Sequence, residues 1–82
     1  MTVRELWNQL MADYALSASW LAEELAGATV TAAVVDGATT ITAATGSPWL
    51  SWMRKQLAPG ASRKASAIAG RRVVVRFEGV GE

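Results

Sequence analysis

Eighty-two residues, about half of them apolar and with a net charge of +1, describe one small globular domain rather than a disordered or strongly basic chain. A chain of this length buries only about 60–65% of its unfolded surface, so its core is thin. There is no cysteine and no histidine, which excludes a disulfide framework, zinc sites built on those ligands and the commonest general base.

The longest uncharged run, 37–53, is interrupted by Gly, Thr, Ser and Pro and does not read as a membrane span. The first residues carry Glu5 and Asp13 and no apolar block ahead of a cleavage site, so no signal peptide is expected and the location expected is cytoplasmic. The charge is unevenly spread. Residues 1–46 hold Arg4 against five acids, and residues 47–82 hold seven bases against Glu78 and Glu82.

Thr2-Val3-Arg4-Glu5 has the form of a capping box, in which each residue's side chain meets the other's amide. Val3, Leu6, Trp7, Leu10, Met11 and Tyr14 then recur at helical spacing, which predicts an amphipathic helix over 3–15. Ser17 is the expected cap of a second, short helix. Leu16 and Leu21 would form a hydrophobic staple, and Gly27 would end the helix in the left-handed conformation. Asp36-Gly37 between two β-prone runs is the strongest short hairpin signal. A two-residue loop sets Val35 opposite Ala38 and Val34 opposite Thr39. It gathers Val30, Ala32, Val34, Ile41 and Ala43 on a helix-packing face and Thr31, Thr40 and Thr42 on a wet one.

Ser47 and Pro48 start a third helix, and Trp49 and Trp52 on it are expected against the sheet. Pro59-Gly60 is expected to break it, with Ser62 capping a fourth helix that ends at Gly70. Val73, Val75 and Phe77 then alternate with Arg72, Val74 and Arg76 in a strand. The expected architecture is α+β in the order ααββααβ, KH-like, a three-stranded sheet with helices packed on one face. One domain is expected over 1–78 with a frayed tail at 79–82.

No catalytic constellation is present. The serines lack a histidine, and Glu23 and Glu24 are adjacent, so they diverge on a helix instead of forming an acid–base pair. No enzyme activity, cofactor or metal site is therefore expected. Two binding signals remain. Four tryptophans are more than a thin core comfortably holds, and exposed aromatics on helices are typical interface anchors. Arg63, Lys64, Arg71, Arg72 and Arg76 could weakly track a single-stranded nucleic acid, although the loop at 59–63 has one glycine where a KH domain has GXXG.

Leu6-Trp7 on the first helix is followed by a hairpin around Asp36-Gly37 and then by Trp52-Met53-Arg54-Lys55-Gln56-Leu57. Gly70-Arg71-Arg72 and Val73-Val74-Val75-Arg76-Phe77 come after a proline. Their order and spacing resemble the N-terminal domain of the bacterial replication initiator DnaA. The resemblance implies a non-catalytic protein–protein interaction module in replication initiation. It would self-associate, a weak homodimer through Leu6, Trp7 and Leu10, or dock a replicative helicase, an initiator or a regulator. Trp20, Glu23 and Trp49 fall where that family contacts the helicase, though Glu24 stands where its second helix carries a tryptophan. The initiator's ATPase and DNA-binding domains have no counterpart in these residues, so the chain is expected to be that domain alone or a free-standing relative. A competitor that mimics the initiator, or a small single-stranded nucleic-acid binder, are the alternatives.

Overall fold

The computed structural model describes residues 1–81 and shows an α+β chain with a three-stranded mixed sheet. Helices α1 (Val3–Ser17) and α2 (Ser19–Leu25) precede strands β1 (Thr29–Val35) and β2 (Ala38–Thr45). A long helix then runs over 50–69, followed by β3 (Val73–Gly79). The sheet order is β1-β2-β3, with β1 antiparallel and β3 parallel to β2.

The capping box forms as expected. The Thr2 amide donates to Glu5 Oε1 and the Glu5 amide to Thr2 Oγ1, each at 3.1 Å. The second helix starts differently. Ala18, with no side-chain oxygen, stands at its cap, and the Ser17 hydroxyl donates backwards to the Asp13 carbonyl at 3.2 Å. Leu16 is 91% exposed, so no staple forms, and Gly27 does not adopt positive φ.

The hairpin has the expected register, Val35 opposite Ala38 and Val34 opposite Thr39. Asp36 and Gly37 take φ of 51° and 76°, the paired positive values that a twist-matched two-residue turn requires. Its packing is asymmetric. Ile41 and Ala43 of β2 and Val73, Val75 and Phe77 of β3 are buried under the helices. In β1 only Val30 is packed against this core, while Ala32 and Val34 are exposed. The helical layer covers two strands of the three.

The expected break at Pro59-Gly60 does not occur. The helix passes from an α-turn (Leu50–Trp52) through a π segment (Met53–Leu57) into a regular α-helix (Ala58–Ala69), so two expected helices are one and the order is ααββαβ. Pro59 has no amide proton for the preceding turn, and its ring would crowd the Lys55 carbonyl in a regular helix. A widened turn just ahead of the proline relieves that crowding without ending the helix. The same turn keeps Met53, Leu57, Ala61 and Ala65, spaced by four at every step, on the buried face. Gly70 ends the helix at φ 70°, as expected.

Ser62 is therefore no cap. It and Ser66 face the outer edge of β3. Ser66 Oγ accepts from the Val73 amide at 2.9 Å and donates to the Val73 carbonyl at 3.0 Å. Ser62 Oγ accepts from the Val75 amide at 2.9 Å and donates to the Ala58 carbonyl at 2.8 Å. Arg54 Nε donates to the Phe77 carbonyl at 3.0 Å. Alternate strand residues 73, 75 and 77 are thus met by one helix, which closes an edge that would otherwise be open to another chain. At the end of the strand Gly79 pairs with Thr45, and the Val80 amide donates to the Thr45 carbonyl at 3.3 Å. The tail expected from 79 thus begins inside β3, and Glu82 lies outside the described residues.

Two predictions follow from this packing. Ser66→Ala leaves the Val73 amide and carbonyl without their helix partner and should lower stability by about 1–3 kcal/mol in urea unfolding. The Glu5 carboxyl is held below its ordinary 4.5, first by the bond from the Thr2 amide and then by the Thr2 hydroxyl. Its contribution is present above pH 4.5 and is lost as pH falls through the lowered value. An NMR titration should place its midpoint below 4.5, and Glu5→Gln should remove that acid-side dependence.

Candidate functional site: an exposed tryptophan cluster

Trp20 lies on the first turn of α2, Trp49 just before the long helix and Trp52 on that helix's first turn. The Trp20 ring meets Trp49 edge-on with centroids 5.5 Å apart and an interplanar angle of 62°. It meets Trp52 at 5.5 Å and 47°. The three remain 42%, 50% and 37% exposed respectively. A tryptophan carries up to about 250 Å² of surface, so these fractions leave roughly 300 Å² of contiguous aromatic surface, the size of the largest apolar patch on a typical monomer.

The backbone beneath the patch is tied down. The Ser47 amide donates to Thr45 Oγ1 and the Trp49 amide to Ser47 Oγ, both at 3.1 Å. The Leu50 amide donates to the Ser47 carbonyl at 3.3 Å and the Met53 amide to the Trp49 carbonyl at 2.9 Å. Thr45 is itself buried. The Ser47 hydroxyl, which the sequence assigns to helix capping, thus holds the Trp49 amide, and Thr45 in turn holds Ser47. On α2, Leu21 and Leu25 anchor the inner side. Glu23 and Glu24, three and four residues after Trp20, are its neighbours on the helix surface and give the patch an acidic flank.

Ring-to-ring distances of 5.5 Å are direct contacts and leave no gap for a cation, so the three indoles do not form a cage. The patch suits a flat apolar contact. Among the described residues no group of three His, Cys, Asp or Glu is placed to hold a metal ion, and no helix is long and apolar enough to cross a membrane.

Of the residues expected at the partner surface, Trp20, Glu23 and Trp49 lie on the two elements that build the cluster. Trp49 and Trp52, both expected against the sheet, are each exposed instead, and Trp52 is the third member of the cluster. Leu6, Trp7 and Leu10, expected to mediate self-association, are at most 4% exposed and belong to the core. They interlock with Met53, Leu57 and the sheet residues in one cluster, so their side chains are not presented to a partner.

The basic residues do not share one surface. Lys64 is paired with Asp13 and lies over the Tyr14 ring, 5.3 Å from its centroid. The hydrogen bond to Asp13 holds the Lys64 ammonium above its ordinary pKa. Arg72 and Arg76 border a shallow pocket of about 200 Å³ on the open sheet face, with Asp36 at its rim. Arg63 is exposed on the long helix and Arg71 in the turn before β3.

Comparison of the chain with protein-family models, with curated proteins and with solved structures finds no match.

Trp20 is common to both ring contacts. Trp20→Phe should therefore remove the exciton-coupled part of the circular dichroism spectrum while leaving the urea midpoint nearly unchanged. In contrast, Trp7→Ala should cost about 3–5 kcal/mol, enough to unfold much of so small a domain.

Proposed function

We infer that the chain is a non-catalytic protein-docking module and that the Trp20–Trp49–Trp52 patch is its contact surface. The observation that carries this reading is the exposure of three tryptophans, Trp49 and Trp52 each in ring contact with Trp20, on a hydroxyl-braced scaffold. Rigid aromatic side chains lose little entropy on binding and dominate interface hot spots. The acidic flank from Glu23 and Glu24 favours a partner that sets Lys or Arg beside an apolar anchor.

The resemblance to the DnaA N-terminal domain supplies the finer reading: a KH-like module of replication initiation that docks a replicative helicase, an initiator or a regulator. Two tryptophans of the patch are those that the resemblance assigns to helicase contact, and this supports the finer reading. A patch of this size gives a small interface of micromolar strength.

Isothermal titration of the purified chain against the replicative helicase and the initiator of its source tests both levels. Trp20→Ala or Trp49→Ala should weaken binding by at least about thirtyfold, which corresponds to about 2 kcal/mol. Arg71→Glu with Arg72→Glu should leave it nearly unchanged. Binding that ignores the tryptophans overturns the assignment of the surface. Binding only to a single-stranded oligonucleotide, weakening steeply with salt, would replace the docking reading with a nucleic-acid one.

A further inference from the structure

We propose that a second copy of this chain pairs with the first along β1, joining two three-stranded sheets into one of six strands. The two edges of the sheet are treated in opposite ways. The edge at β3 is closed by Ser62, Ser66 and Arg54. The edge at β1 has none of the usual protections. Its sequence, Thr-Val-Thr-Ala-Ala-Val-Val, contains no charge, proline or glycine. It forms an unbroken seven-residue ladder with β2, and its last two valines are 76% and 50% exposed.

The hydrogen-bonding groups on that edge follow from the hairpin. In a two-residue hairpin the residues flanking the turn exchange both of their bonds. Val35, Ala33, Thr31 and Thr29 therefore direct theirs to β2, and Val34, Ala32 and Val30 turn theirs outwards. An antiparallel partner related by a two-fold axis through Ala32 sets Ala32 against Ala32 of the second copy and Val30 against its Val34. The three outward residues of each copy then exchange all their bonds, and both copies keep their helices on one side of the sheet.

This self-complementarity favours a second copy over an unrelated extended peptide. Val30 and Val34 are placed symmetrically about Ala32, and no like charges meet along the seam, where Val35 comes opposite Thr29 and Asp36 opposite Ala28. A seven-residue strand is about 24 Å long, and edge pairing of that length falls below the roughly 1,200 Å² of stable interfaces. The dimer is therefore weak and exchanges with monomer. This contact is separate from the tryptophan patch and does not depend on the docking function.

Sedimentation equilibrium over a wide concentration range tests the pairing, with circular dichroism to verify folding. Ala32 is exposed, so Ala32→Lys and Ala32→Glu are tolerated in the monomer, and each sets like charges face to face at the axis. Each variant alone should need at least about tenfold higher concentration to dimerise than the unaltered chain. An equimolar mixture of the two should recover the dimer. In the unaltered chain, amide exchange at Val30, Ala32 and Val34 should slow as concentration rises, while that at Ala33 should not change. A chain that stays monomeric at millimolar concentration, or a dimer indifferent to both substitutions, overturns the proposal.

Discussion

The parallel pairing of β3 with β2 depends on the long helix that returns the chain between them. That helix does more than cover the sheet. At each helical turn along 62–66 a serine hydroxyl takes up a backbone group of β3, so helix and strand are joined by directional bonds as well as by apolar contact. Val73 and Val75 can then sit at the edge of the sheet with their outward amides satisfied and their side chains buried. Were β3 to slip by one residue, those valines would turn to the wet face and both serines would lose their partners. The core built around Leu10, Ile41 and Met53 rests on that register.

Signals held in two to four neighbouring residues were the most legible. The capping box, the Asp36-Gly37 turn and Gly70 form as read, because each depends on local backbone geometry that few residue types supply. Pro59-Gly60 misleads because the rule against proline in a helix assumes regular turns. Here the turn before it is wide, and nothing within two residues of Pro59 announces that. The longer stripe of Met53, Leu57, Ala61 and Ala65 does not announce it either, since a spacing of four drifts by only about 120° over that length and fits the apolar face of an even helix as well.

The tryptophans divide by the same logic. Spacing alone sets Trp49 on the stripe of Met53 and Leu57, and so towards the core. Trp49 lies ahead of the helix proper, with φ −87° and ψ 9°, and the stripe does not extend back to it. Trp7, beside Leu6 on α1, looks surplus to a narrow seam, yet both are buried because α1 is covered by α2 and by the long helix. The contact of Trp20 with the other two joins residues some thirty apart, and only the fold brings them together. The role of Ser62 and Ser66 on the long helix is hidden for a like reason, since a helix serine facing a strand edge and a serine capping a helix have the same neighbours in sequence.

The widened turn at Met53–Leu57 has a consequence for how this molecule can change. It separates the aromatic start of the helix from the portion that holds the core and β3. A wide turn spends its five residues on about the rotation that four take in an even helix, so loss of one residue within it would restore even turns and leave Trp52 on nearly the same side of the helix, with the stripe from Leu57 onward unmoved. The aromatic surface thus keeps its aim across a one-residue difference in length, which makes this turn the place where the helix can lose a residue without repacking the interior.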